Sequence, residues 1–200
     1  MYKNVVKPIL DFLGALLLAP FVCIEIAILA PVIYFTDRGP VFYMGKRRGK
    51  NGKIFSMFKL RSMKVNAPDL RNEDNSTYNS AKDPRVTKIG RIMRKTSLDE
   101  LPQVFNILKG DMSFIGPRAP VPKEGVTWDD LDADQKKRLE VRPGITGYAA
   151  AKFRNSIDHN EKIRQDCYYA DHVSFKLDVK IIWWTLKTVL LRKNVYKNED

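Results

Sequence analysis

The sequence predicts a mainly α protein with a small β-hairpin, an α+β class, in which an N-terminal membrane-inserted helix precedes a compact domain with amphipathic surface helices. Three observations predict it. Residues 9 to 35 are apolar apart from Asp11 and Glu25. Two β-prone runs, Val41 to Met44 and Ile54 to Leu60, flank a basic stretch containing glycines. Later segments repeat apolar residues at helical spacing and close on helix-ending signals. The expected division is residues 1–36, inserted in the membrane, and residues 37–200, a body at the membrane surface.

At ~1.5 Å rise per residue the apolar run is long enough to enter or cross a bilayer. It exceeds a signal-peptide core and no small-x-small cleavage triplet follows it, so it is retained. Proline lacks the N–H and its ring clashes with the carbonyl four residues back, so Pro20 and Pro31 are each expected to bend or break the helix. Lys3 and Lys7 lie before the run, and Arg38, Lys46, Arg47, Arg48, Lys50 and Lys53 lie after it. The positive-inside rule therefore places both flanks in the cytoplasm. That favours a re-entrant helix broken at Pro20, with a straight single-pass anchor as the alternative, since spanning helices tolerate proline. Glu25 must reach the interface, find a partner or be protonated.

The basic stretch from Gly45 to Lys53 reads as the hairpin turn and lacks Walker spacing. Ala67 to Arg85 is polar and too long for an ordinary connection, so it reads as a mobile loop. Val86 to Lys95 reads as a basic helix burying Ile89, Ile92 and Met93, with Lys88, Arg91, Arg94 and Lys95 exposed or facing a site. In Thr96 to Gln103, Ser97 and Glu100 fit a capping box, with Pro102 in the first turn. The same octet sets Asp99 and Glu100 side by side near Arg94 and Lys95, where they could bind a divalent cation and keep one carboxylate ionised as a nucleophile. Val104 to Leu108 continues the helix, and Lys109-Gly110 ends it.

Arg118 in Gly116-Pro117-Arg118-Ala119-Pro120 and Arg142 in Arg142-Pro143-Gly144 sit on rigid turns, where a guanidinium can grip phosphate oxygens in a fixed fork. An acidic-then-basic helix is expected between them, from Asp129 to Val141. Leu177 to Arg192 reads as an amphipathic helix whose Trp183-Trp184 pair, flanked by Lys180 and Lys187, suits a headgroup layer. An ordinary core helix is the other reading.

Composition narrows the function. Lys and Arg number 35 against 23 Asp and Glu, a net charge of +12, which calls for nucleic acid, anionic lipid or a phosphorylated ligand. Mean hydropathy of −0.33 with 29% charged residues excludes a polytopic membrane protein, and 44% hydrophobic residues exclude a disordered chain. Cys23, Cys167, His159 and His172 are too few for a disulfide framework or a zinc site, so any metal falls to carboxylates.

Eight pieces in one order resemble the bacterial sugar transferases of the monotopic phosphoglycosyl transferase family. They are Arg38-Gly39-Pro40-Val41-Phe42, Phe58-Lys59-Leu60-Arg61-Ser62-Met63, Ser97-Leu98-Asp99-Glu100-Leu101-Pro102-Gln103, Leu108-Lys109-Gly110-Asp111-Met112-Ser113, Gly116-Pro117-Arg118, Val141-Arg142-Pro143-Gly144-Ile145-Thr146-Gly147, Tyr168-Tyr169 and Leu177-Asp178-Val179-Lys180. The resemblance implies a re-entrant membrane helix and a catalytic domain on the cytoplasmic face of the bacterial inner membrane. It implies transfer of a sugar-1-phosphate from a UDP-sugar to polyprenyl (undecaprenyl) phosphate through a phosphosugar on an aspartate. Asp99 is then the nucleophile and Glu100 its acidic partner; Mg2+ is the cofactor, with Asp99 as its ligand and Glu100 as a further one. Lys59, Arg61, Arg94, Arg118, Arg142 and Arg154 are the phosphate-binding candidates. Asp166 and Asp178 match acidic positions near the family's site, with salt bridges to the surplus lysines as the other reading. The partners implied are the UDP-sugar, the polyprenyl phosphate and membrane lipids, without nucleic acid; homodimerisation is left open. The chain departs from the family in having Ala19-Pro20 and Ala30-Pro31 instead of Ser-Pro, Pro117-Arg118-Ala119-Pro120 instead of Pro-Arg-Pro, and Phe153-Arg154-Asn155 instead of Gly-Arg-Asn. The competing reading is a membrane-anchored polyanion-binding module without catalysis, which leaves Asp99-Glu100 as a cap alone.

Overall fold

The computed structural model describes residues 1–70, 78, 80, 82–153 and 156–190. After a short π-helical turn, Tyr2–Val6, the chain forms α1, Lys7–Asp37, which continues through Pro20 and Pro31. The break expected at Pro20 is therefore not an end of the helix. Each proline removes one donor, but Ala15 and Val22, on either side of Pro20, pack into one core with Phe55, Met57, Val104, Ile107 and Met112 and hold the segment together. Further along, Ile33 packs with Leu60 and Met93. The first 36 residues and the body thus share their cores.

Both ends of α1 are tied to that body. At the N-terminal end Lys7 Nζ lies 3.0 Å from Asp178 Oδ2, and Asp11 Oδ1 accepts from the Phe114 amide at 3.1 Å. At the other end Asp37 accepts two bonds from the Arg61 guanidinium, at 2.7 and 2.6 Å. The outer face is left exposed, with Leu17 and Phe35 open by 72% and 76%. Hydrogen bonding to Arg61 holds the Asp37 carboxyl below its ordinary value, against a smaller opposing effect of burial. A carboxylate whose folded pKa is depressed stabilises the fold above the unfolded value, and that contribution goes as pH falls through the folded value. Between about pH 5 and pH 2 the wild type is therefore expected to lose its thermal-stability advantage over Asp37→Asn; an advantage that persists unchanged to pH 2 contradicts this.

Strands β1, Phe42–Arg48, and β2, Ile54–Leu60, form the hairpin, with Phe42 opposite Leu60 and Arg48 opposite Ile54. The strand claims Gly45 to Arg48 from the expected turn, which shrinks to residues 49–53 and uses left-handed Asn51 and Gly52. The open edge of β2 is met by buried Asn106, which accepts from the Phe58 amide and donates to the Ser56 carbonyl. Helix α2, Lys88–Thr96, is capped by Thr87. It buries Gly90 and Met93, while Ile92, expected inside, is 58% exposed. The reason is backbone approach: a Cβ on Gly90 would stand 1.9 Å from the Ser62 carbonyl oxygen, so a glycine, not an isoleucine, faces the body there. Arg85 closes the neck of the preceding loop by donating to the Pro68 and Tyr78 carbonyls and to Asp83; much of the expected mobile loop lies outside the described residues.

Helix α3, Gln103–Leu108, ends at Lys109 and left-handed Gly110 as expected. Strands β3, Ser113–Ile115, and β4, Gly144–Thr146, then pair in parallel. A Cβ on Gly144 would lie 2.1 Å from the Gly116 nitrogen, so the two glycine turns interlock. Helix α4 spans only Ala133–Arg138, shorter than the expected Asp129 to Val141, because Asp132 and Gln135 cap it reciprocally. Helices α5, Tyr148–Phe153, α6, His159–Asp171, and α7, Phe175–Leu190, complete the fold. Helix α7 has two faces: Ile181, Leu177 and Trp184 pack around Tyr169, as the core reading expects, whereas Phe175, Val179, Ile182, Trp183 and Leu186 are exposed.

Candidate active site

The site is built on a reversal of the chain. Ser97 adopts a left-handed conformation, φ 60°, and its amide bonds back to the Arg94 and Met93 carbonyls, so it closes α2. Its side chain caps nothing, and the expected capping box is absent because Glu100 turns to Lys59, whose Nζ donates to Oε1 at 2.5 Å. Residues 98–100 form a single 3-10 turn that sets both carboxyls against β2.

The two carboxyls are pushed apart electrostatically. Asp99 is 7% exposed. Burial raises its pKa, and Glu100 adds to this, while the charges of Lys59 and Arg94 act in the opposite direction and are outweighed. For Glu100, burial also works against ionisation, but Lys59, Arg118 and hydrogen bonds from Lys59 and Gln103 outweigh it and hold this carboxyl below its ordinary value. Divergent environments for neighbouring carboxyls are what different chemical roles require. Glu100 is a fixed anion among cations, and Asp99 is a carboxyl whose charge burial disfavours and the nearby Lys59 and Arg94 favour.

Beside this turn a pocket is lined by Arg47, Lys59, Arg118, Glu100 and Gln103 over apolar walls that include Met57, Met112 and Ile145. Arg94 stands behind the turn, donating from Nε to Ser62 Oγ at 2.9 Å, with its charge acting on Asp99. The Arg118 peptide is held from below: Arg138 donates to its carbonyl at 2.7 Å and pairs with buried Asp166. Asp166 is thus a support for Arg118, and Asp178 a tether for α1.

Not every sequence candidate comes here. The Arg61 guanidinium is spent on Asp37 and on the Ile33, Pro40 and Met63 carbonyls, so it anchors α1 and does not line the pocket. Arg142 lies against Gly110 at the end of α3. Arg154 lies outside the described residues. Sequence reasoning missed Arg47 and Gln103. The signal for Arg47 was the strand period: residues paired across a hairpin share a face, and with Arg47 opposite Phe55 and Tyr43 opposite Lys59, Arg47 and Lys59 face the same way. Assigning residues 45–53 to a turn concealed it.

Cations gathered at a partly shielded pocket, as Arg47, Lys59 and Arg118 are here, can stabilise negative charge developing on a phosphoryl group. A divalent ion that takes one or two carboxylate oxygens and completes its shell with phosphate oxygens fits this donor set. Asp99 is the ligand it would use, since Glu100 Oε1 is engaged by Lys59.

The bacterial sugar transferase profile matches residues 2–192. The chain is 40% identical over 195 residues to the galactosyl transferase CpsE of Streptococcus agalactiae serotype III, covering 94% of this chain and 42% of CpsE. It is 39% identical over 172 residues to the undecaprenyl-phosphate galactose phosphotransferase of Salmonella typhimurium, covering 80% of this chain and 35% of that protein. With the sugar transferase EpsL of Bacillus subtilis it shares 36% over 192 residues, 96% of this chain and 90% of EpsL. The chain spans less than half the length of CpsE and of the Salmonella protein.

Proposed function

The chain belongs to the bacterial sugar transferase family, and from that membership and the site geometry we propose that it transfers a sugar-1-phosphate from a UDP-sugar to polyprenyl (undecaprenyl) phosphate through a phosphosugar on Asp99. The observation that carries this is a pocket lined by Arg47, Lys59, Arg118 and Glu100, with buried Asp99 next to Glu100 on the same turn. In the first step an Asp99 oxygen attacks the β-phosphorus, the bond from that phosphorus to the bridging oxygen breaks, and UMP leaves with the electron pair. Lys59, Arg94 and Arg118 offset the negative charge that accumulates. In the second step a phosphate oxygen of the polyprenyl acceptor attacks the same phosphorus, and the Asp99 carboxylate departs. Glu100, tied by Lys59 and Gln103, keeps the Lys59 ammonium at the pocket wall. Magnesium bound to Asp99 would offset repulsion between the nucleophile and the diphosphate.

The acceptor is a lipid, and the surface suits that. The outer faces of α1 and α7 are apolar and joined at their N-terminal ends, where Tyr2 stacks edge-on to Phe175 and donates to Asp178. The attachment of both ends of α1 to one body supports insertion without crossing, and the basic residues on both flanks favour the cytoplasmic face of the inner membrane. Ping-pong kinetics test the two-step reading: UMP release from the donor without acceptor, stoichiometric with enzyme, is expected. UMP release strictly dependent on acceptor contradicts it.

A further inference from the structure

Residues 116–120 are held by their backbone. The Gly116 amide donates to the Thr146 carbonyl at 2.9 Å, the Pro117 carbonyl accepts from Gly144 at 3.0 Å, and the Pro120 carbonyl accepts from Arg48 at 2.9 Å. The Arg118 carbonyl accepts instead from a side chain, Arg138 Nη2, at 2.7 Å. The same nitrogen donates to Asp166 Oδ2, so one atom joins α4, α6 and the Arg118 peptide. Ile115, Gly116, Pro117 and Ala119 are buried, and Arg118 is the side chain of this run that emerges, at the pocket that Lys59 and Glu100 also line.

Stability does not account for the Arg138–Asp166 pair. The two residues are 6% and 3% exposed, and Arg138 Nε is buried with no hydrogen-bond partner among the described residues. Burial pushes the Asp166 carboxyl up to about 6, although Arg138 and Arg118 favour its charge. A buried ion pair is commonly no more stabilising than apolar side chains of similar volume. Nor is it needed to join α4 to α6, which Lys137 and Asp171 also bridge at the surface, 2.7 Å apart. What the pair adds is a fixed peptide beneath a pocket cation, and charge held in place beforehand is what phosphoryl transfer draws on.

We propose that Arg138 and Asp166 are positioning residues for the transfer step, fixing the Arg118 peptide so that its guanidinium meets the transferred phosphate. This rests on the proposed reaction. The test is the rate at which the full chain, in lipid nanodiscs with magnesium, is covalently labelled at saturating donor, using whichever of UDP-glucose, UDP-galactose, UDP-GlcNAc and UDP-GalNAc labels the wild type fastest. Arg138→Met combined with Asp166→Leu removes the pair while keeping its volume, and melting without donor reports the fold. This double variant should melt within a few degrees of wild type and label about tenfold more slowly or worse. Arg138→Lys, which can still donate to the Arg118 carbonyl, should lose less. In an Arg118→Lys background, where the aimed guanidinium is already gone, removing the pair should lower the rate by no more than about twofold. Wild-type labelling by the double variant overturns the inference. An equal fall in both backgrounds, or a double variant that does not fold, makes the pair structural and overturns it too. Labelling of the wild type by no donor overturns the reaction itself and this inference with it.

Discussion

Asp99→Asn is expected to abolish sugar-phosphate transfer, lowering turnover by about 10^4-fold or more, as loss of a nucleophile does in enzymes that use covalent catalysis. The amide is nearly isosteric with the acid but cannot carry the phosphosugar as a mixed anhydride. Its effect on the fold should be neutral or favourable, because burial already disfavours the Asp99 charge and the amide removes that penalty. Turnover and thermal melting measured on the same preparation separate the two consequences. A variant that melts at or above wild type with no transfer fits the account; a variant that turns over normally removes Asp99 from the chemistry. Glu100→Gln should be milder, since Gln103 can still bond to an amide oxygen while the charge partner of Lys59 is lost.

The second large effect is on stability. Asp178 gathers Lys7, the Tyr2 hydroxyl and the Tyr169 hydroxyl around one carboxylate, and Tyr169 also donates to the Ile115 carbonyl. The Lys7 side chain is 12% exposed, so Asp178→Ala leaves an ammonium buried without its nearest partner. Breaking a buried pair from one side costs about 3–5 kcal/mol, which for a domain of this size is a fall of several degrees or more in melting temperature. Asp178→Asn should cost less, since the hydroxyl partners keep an acceptor. Melting in nanodiscs measures both; an Asp178→Ala protein that melts within a degree of wild type would show that the tether carries little.

What could be read from the sequence was local. The hairpin strands, the end of α3 at Lys109-Gly110 and the surface character of α7 follow from period-two alternation, a cation with a glycine, and apolar spacing, all confined to neighbouring residues. The misreadings each involve a partner distant in sequence. Ser97-x-x-Glu100 reads as a capping box whether Ser97 is extended or left-handed, and it is Lys59, 41 positions away, that draws Glu100 aside. Arg61 looks like any cation in a basic motif until Asp37 closes on it. The β3–β4 pair is three residues per strand, too short for an alternation signal, and depends on two glycine turns meeting. Proline at position 20 promised a break, yet core packing on both sides of it keeps α1 continuous.

The most direct measurement is the intact mass of the wild type and of Asp99→Asn after exposure to a panel of UDP-sugars with magnesium and no lipid acceptor. The account predicts a mass increase of one sugar phosphate on the wild type, absent from Asp99→Asn and discharged when polyprenyl phosphate is added. A folded wild type that transfers sugar phosphate to lipid yet never carries the adduct would contradict it and point to direct transfer between donor and acceptor.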